Sequence, residues 1–346
     1  MIRLEAKGNI ENKKIWNWGI FGPAGIARAF AEGLKILDNA NIYAVASRSE
    51  ERSRTFAENF PVEKVYSSYE DALQDEDLEI CYIANLNNDH YPLAKACLEA
   101  GKHVLIEKPS CLNSEMLIEL VELAKTKNLF FMEAMWTKFL ATTKKVNGWV
   151  NDGKIGEISS LECSFGFASG LDPESKVLAL NKGGSALLDL GVYTVSYADM
   201  LFPGYPESIC YNANTTADNV DITGAGSLIY KDNKVATFIV SVANQLTNYA
   251  KITGTKGSIY VSNFMSPIEA SLYEGISTNL KDNKLIETFE QKNLVNGYEY
   301  EAMHVMECLD KGLIESPTHT WEDNINVLKI MDKMRADISL VYPEER

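Results

Sequence analysis

Between Ile15 and Leu37 a short apolar run, Ile15 to Phe21, passes through the glycine-bearing turn Gly22-Pro23-Ala24-Gly25 into a helical pattern that starts at Ile26. A buried strand entering a helix through so tight a turn opens a βα unit. The alternation then repeats. Asn41 to Ser47 reads as a strand, Ser49 to Asn59 as a charged helix, Lys64 to Tyr66 as a very short strand and Tyr69 to Leu73 as a helical turn. Glu79 to Ala84 is an apolar run ending in the polar cluster Asn85 to His90, and Tyr91 to Ala100 reads as a helix closed by Gly101. Lys102 to Glu107 is the next strand. A helix capped by Asn113 or Ser114 follows, then the strand Leu129 to Met132. Strands that alternate with helices predict a parallel, doubly wound α/β sheet.

The pattern changes after Trp136. A helix over Thr137 to Asn151 leads into longer strands at Ile158 to Phe167, Glu207 to Asn214, Asp221 to Tyr230, Lys234 to Val242, Tyr249 to Thr253, Gly257 to Val261 and Ile268 to Tyr273. Their short turns predict a mostly antiparallel sheet. One helix, Ser185 to Phe202 with a stop at Pro203-Gly204, interrupts them, and helices near Tyr298 to Lys311 and Trp321 to Leu340 end the chain. At 346 residues the chain is too long for one comfortable core. The expected division is 1–136 for the doubly wound domain and 137–346 for an α+β domain, whose C-terminal helix is free to pack back on the first.

Composition narrows the partners. A net charge of -15 repels nucleic acid and anionic lipid alike, and no basic patch is segregated in the sequence. No apolar stretch approaches the length of a membrane span, and Met1 to Lys14 lacks an apolar run of signal-peptide length. The six cysteines show no Cys-x-x-Cys spacing, so reduced thiols and a cytoplasmic setting are expected.

The turn Gly22-Pro23-Ala24-Gly25-Ile26-Ala27 stands where backbone N–H groups and a helix N-terminus can hold a pyrophosphate. The same glycines would serve a ligand-free connection, but their place after a strand favours a dinucleotide. At the end of the second strand, where an acid would select NAD, stand Ser47, Arg48 and Ser49. A guanidinium that forks onto a phosphate points to NADP, with NAD use left open. Glu107-Lys108-Pro109 closes a buried strand on the same side of the sheet. Downstream, Asp189 and Tyr193 in Gly183-Gly184-Ser185-Ala186-Leu187-Leu188-Asp189-Leu190-Gly191-Val192-Tyr193 share one face of an apolar helix, which asks for a polar cleft.

At Gly19 to Arg28, Ala100 to Pro109, Met132 to Phe139, Gly183 to Tyr193 and the ending from Tyr300 through Trp321-Glu322-Asp323 to Pro343, the chain resembles the Gfo/Idh/MocA oxidoreductases. Within them it is similar to the dimeric dihydrodiol dehydrogenase and NADP-dependent aldose dehydrogenase branch. The resemblance implies an N-terminal Rossmann domain, a C-terminal domain with an open sheet whose exposed face makes a homodimer or homotetramer, and catalytic roles for Lys108 and Tyr193. Tyr193 would then exchange the proton of a sugar, polyol or cyclic diol hydroxyl while hydride moves to or from nicotinamide C4. Lys108 would favour the phenolate and polarise the reacting oxygen, and Asp189 would orient the lysine or a second hydroxyl. Asn85, Asn87 and His90 fall near the cofactor in this pattern, though Asn85-Leu86-Asn87 replaces the usual Thr-Pro-Asn. Lys138 and Lys176 stand where the branch carries arginine. The four histidines form no metal-ligand pairing. Alternatives on the same scaffold are a non-catalytic NADP-binding regulator and a glycosidase using NAD for transient oxidation.

Overall fold

The computed structural model describes residues 14–202 and 204–346. The polar lead-in at 1–13 and Pro203, read above as part of a helix stop, lie outside the described residues.

The first half is built from β1 (Trp16–Phe21), α1 (Gly25–Leu34), β2 (Ala40–Ala46), α2 (Glu50–Ala57), β3 (Lys64–Tyr66), α3 (Tyr69–Leu73), β4 (Ile80–Ile83), α4 (Asn87–Glu99), β5 (His103–Glu107), α5 (Ser114–Lys127) and β6 (Phe131–Ala134). Its six strands are all parallel, in the order β3-β2-β1-β4-β5-β6. β4 and β6 are buried along their whole length, as a sheet covered on both faces requires. The order reverses between β1 and β4, the crevice where open α/β sheets bind ligands. Helix α4 starts four residues before the expected Tyr91. Pro92 lies inside it, and because a proline removes only one N–H near a helix start, the polar cluster Asn87-Asn88-Asp89 is wound into the first turn.

A 3₁₀ turn, Trp136–Phe139, and α6 (Ala141–Asn151) replace the single helix expected there. Then come β7 (Ile158–Gly166), α7 (Val192–Leu201), β8 (Ser208–Thr215), β9 (Asp221–Tyr230), β10 (Lys234–Ser241), β11 (Tyr249–Gly254), β12 (Gly257–Ser262), β13 (Glu269–Glu274), β14 (Lys284–Glu290), α8 (Tyr298–Asp310) and α9 (Trp321–Asp337). The eight strands run β14-β13-β12-β11-β7-β10-β9-β8, antiparallel except for β7 beside β10. Strand β14 escapes sequence reading because it is an edge strand whose residues are all exposed or half-buried, so no apolar alternation marks it.

One face of this sheet is packed and the other open. Ala236, Phe238 and Val240 of β10 point inward, while Ile239 on β10 and Ile229 on β9 lie on the open face. Helix α9 packs against α7 and β8 and also returns to α5, with the Trp321 indole N–H donating to the Phe131 carbonyl at 2.9 Å. Five cysteines are buried and Cys210 is exposed, all as free thiols. Among the described residues no helix is long and apolar enough to cross a membrane.

Candidate active site

The glycine turn lies at the crevice. Gly22 has φ +84°, and a Cβ there would come within 2.9 Å of Asn85 Oδ1. Only glycine fits this approach of β1 to the end of β4. A Cβ on Gly25 would meet nothing within 4 Å, so the first turn of α1 faces open space. Its N-cap, Ala24, makes no side-chain cap bond, and the turn contains no acidic residue, which leaves N–H groups and the positive helix end free for an anion. Asn85 Oδ1 beside Gly22 and His90 Nε2 on α4 are both buried without hydrogen-bond partners. Buried polar atoms of this kind call for a partner from outside the chain, and together with the open helix end they fit a dinucleotide.

On the other side of Asn85, a cleft lined by Arg48, Tyr69, Glu70, Asn85, Asp89 and Leu93 lies past the ends of β2 and β4. Arg48 projects over it, and its Nη2 donates to Asp89 Oδ2 at 2.6 Å. Ser47 is buried, and its hydroxyl accepts from the Ser49 N–H at 3.2 Å. Burial pushes the His90 imidazole down to about 4, so the ring is neutral, and the 2.8 Å contact assigns its Nδ1–H to the Pro109 carbonyl. That bond ties α4 to the turn after β5. Asn87 sits one turn earlier and donates to the Gly183 carbonyl at 3.0 Å, bridging to the second sheet's domain. Gly183, at φ +72°, permits this because a Cβ would approach Asn87 Cβ to 2.7 Å.

Glu107 takes a different direction from its neighbours. Its carboxylate accepts from Tyr82 Oη at 2.5 Å inside the core, and burial raises its pKa. The next residue, Lys108, turns toward the second domain. Its Nζ donates to the Asp189 carbonyl at 2.9 Å and to Asp189 Oδ1 at 3.3 Å, and lies 5.1 Å from the Tyr193 ring centroid. Three side chains separated by up to 85 positions in sequence are thereby gathered at the cofactor end of β5.

The helix that supplies two of them is not regular. Residues Leu187–Gly191 form a π turn before α7. Such wide turns are rare and are frequently found at functional sites, and this one carries the Asp189 carbonyl that accepts from Lys108. Asp221, at the start of β9, holds the turn. Its buried carboxylate accepts from Ser185 Oγ at 2.5 Å, from the Leu187 N–H at 2.7 Å and from Tyr211 Oη at 2.6 Å. Sequence reading misses Asp221, since an Asp opening a strand carries no local sign of a distant helix. Truncation by Asp221→Ala strands three buried donors, and thermal unfolding is expected to show a loss of about 2–4 kcal/mol. A loss under about 0.5 kcal/mol would mean that the network is not what holds the turn.

Electrostatics at Tyr193 differ from the sequence expectation. Burial pushes the phenol up to about 12, and the Lys108 ammonium, which pulls it down, is outweighed. Desolvation of the phenolate wins because the ring is only 7% exposed. For Lys108 burial works against the charge, yet Tyr193, Asp189 and Glu107 hold its pKa above the ordinary lysine value. The site therefore presents a neutral phenol beside a charged ammonium. Tyr298 and Trp136 stack at 4.4 Å nearby, and Lys138 pairs with Asp323 at 3.6 Å, while Lys176 is exposed. Among the described residues no three His, Cys, Asp or Glu side chains gather as a metal site.

Comparisons with known proteins agree with this architecture. Residues 16–135 match the oxidoreductase family model with an NAD-binding Rossmann fold, and residues 143–260 match the GFO/IDH/MocA C-terminal domain. Trans-1,2-dihydrobenzene-1,2-diol dehydrogenase of Mus musculus is 32% identical over 95% of this chain and 98% of its own. The Homo sapiens enzyme of the same name is 31% identical over 95% and 98%. Among solved structures, a 3-ketoreductase from Actinomadura kijaniata in complex with NADP and TDP-benzene superposes with a TM-score of 0.84 at 23% identity, covering 94% of this chain and 98% of that one. The aldose-aldose oxidoreductase of Caulobacter crescentus superposes at 0.83 with 19% identity, over 94% and 98%. By its two matched domains and its near full-length relatives, the chain belongs to the Gfo/Idh/MocA family of oxidoreductases, with an NAD-binding Rossmann fold.

Proposed function

We propose that the protein is an NADP-dependent dehydrogenase or reductase acting on a CH–OH or C=O carbon of a sugar, polyol or cyclic diol. The observation that carries this reading is the Lys108 ammonium held on Asp189 against the Tyr193 ring, at the carboxyl end of β5, on the same edge of the sheet as the open glycine turn after β1. The bound nicotinamide supplies a hydride donor or acceptor at C4. This chain's residues handle the proton and the charge. Tyr193 gives its phenolic proton to the substrate oxygen in reduction and takes it back in oxidation, and Lys108 stabilises negative charge on that oxygen. Asp189 fixes the lysine by two bonds from one residue. The diol specificity of the Mus musculus and Homo sapiens relatives and the sugar chemistry named for the Caulobacter enzyme support a substrate with adjacent hydroxyls.

The test follows nicotinamide absorbance in the near ultraviolet, with NADP and NAD against a panel of aldoses, inositols and cyclic diols, and with NADPH against dicarbonyls. Turnover on any of them supports the reading. Tight cofactor binding with no turnover on the panel would favour a regulator.

Arg48 carries the preference for NADP, through charge-assisted bonds to the 2′-phosphate. Replacing it by Ala is expected to weaken NADP binding about 10- to 100-fold and NAD binding less than about threefold, as calorimetry would measure. An equal loss for both cofactors would sink the assignment. We also read the open face of the second sheet as a homo-oligomer interface, supported by Ile229 and Ile239, which are 41% and 38% exposed on neighbouring strands. A division of the chain at 136/137 and a cytoplasmic setting complete this reading.

A further inference from the structure

Arg48, read above as the phosphate ligand, is already engaged. Its Nη2 lies 2.6 Å from Asp89 Oδ2, with the two side chains 68% and 24% exposed. Arg48 follows β2, whereas Asp89 belongs to the first turn of α4, after β4, so the pair spans the cleft lined by Tyr69, Leu73, Asn85 and Leu93. The end of β2 itself carries no acid, only Ser47-Arg48-Ser49. The fold thus brings a carboxylate from α4 to the place beside the arginine where sequence reading found none.

A 2′-phosphate seated on Arg48 would have to displace this carboxylate or share the guanidinium with it. Sharing puts two like charges around one cation, and even in a solvated cleft a pair a few ångströms apart weakens binding about fivefold. Displacement forfeits an exposed ion pair, a loss of about fivefold at most. A ribose hydroxyl carries no charge, and as a donor it meets an acceptor in Asp89. Both effects act against NADP and neither acts against NAD.

We propose that Asp89 is a cofactor-specificity residue. It competes with the 2′-phosphate for Arg48 and so holds down the preference for NADP over NAD. This rests on the reading of Arg48 as the phosphate ligand.

The experiment measures dissociation constants for NADP and NAD with the full-length wild type, Asp89→Asn, Asp89→Ala and Arg48→Ala, at low and at raised salt, with melting temperatures to confirm folding. Asp89→Asn and Asp89→Ala are expected to tighten NADP about two- to fivefold and to raise the NAD-to-NADP ratio of dissociation constants by at least as much. The gain should shrink at raised salt, because it comes from exposed charges. Variants that leave the ratio unchanged, or that weaken NADP because Asp89 holds Arg48 in its productive position, overturn the proposal. Variants whose main effect is a loss of NAD affinity, with NADP unmoved, make Asp89 a ribose ligand and overturn it too. If Arg48→Ala leaves NADP affinity intact, the phosphate assignment fails and the proposal falls with it. A sound assignment with a wrong role for Asp89 instead shows a loss in Arg48→Ala and no gain in the Asp89 variants.

Discussion

Tyr193→Phe is expected to lower kcat by about 10²- to 10⁴-fold on the true substrate, the range for removing a positioned proton donor or acceptor. Cofactor affinity should stay within a few-fold, because the substitution deletes one oxygen and keeps a ring packed edge-on against Phe165 at 5.7 Å. The pH dependence gives a second readout. Burial pushes the phenol up to about 12, so the free enzyme holds it protonated across the neutral range. Carbonyl reduction needs that proton and should be insensitive to this group below its pKa. Alcohol oxidation needs the phenolate, whose population rises about tenfold for each pH unit below the pKa, so kcat/KM for oxidation should climb with pH through neutrality. The residual rate of the Phe variant should lose that climb. A Phe variant that keeps most of kcat, or a wild type whose oxidation rate falls with rising pH, would remove Tyr193 from the proton-transfer role.

Loss of the ammonium should be nearly as damaging. Lys108→Met is expected to reduce kcat about 10²- to 10³-fold, the scale for deleting one preorganised donor at a developing oxyanion. Its length would still fill the space left by the side chain. Steady-state kinetics with saturating cofactor separates this from a binding defect, since an interaction made only in the transition state lowers kcat and kcat/KM together. Lys108→Arg should not restore the rate. The present ammonium reaches both the carbonyl and the carboxylate of Asp189, at 2.9 and 3.3 Å, and a planar guanidinium cannot occupy that compact position. Activity in Lys108→Met above about a tenth of wild type would leave the lysine a structural role: the Asp189 ion pair that joins β5 to the π turn.

Much of this arrangement is legible in the linear sequence, for a physical reason. Strand and helix periodicities are carried by neighbouring residues, so the run of Ile15 to Phe21 into Gly22-Pro23-Ala24-Gly25 announces β1, the tight turn and α1 without reference to the rest of the chain. The parallel six-stranded sheet and the largely antiparallel second sheet follow from such local signals and their order, whereas Lys108, Asp189 and Tyr193 stand out only as motifs, and the roles expected of Lys108 and Tyr193 come from the family resemblance. Strand β14 was not legible, because an exposed edge strand has no buried face to impose a pattern.

Tertiary structure alone decided the pairings. The Lys108 bond to a backbone carbonyl depends on a π turn that no residue pattern marks. The grip of Asp221 on that turn, the meeting of Asp89 with Arg48, and the turning of Glu107 into the core onto Tyr82 each join elements far apart in sequence. It also reversed the expected titration of Tyr193. A neighbouring lysine can be guessed from a motif, but the desolvation that outweighs it is a property of all the atoms packed around the ring, and those are supplied by both halves of the chain.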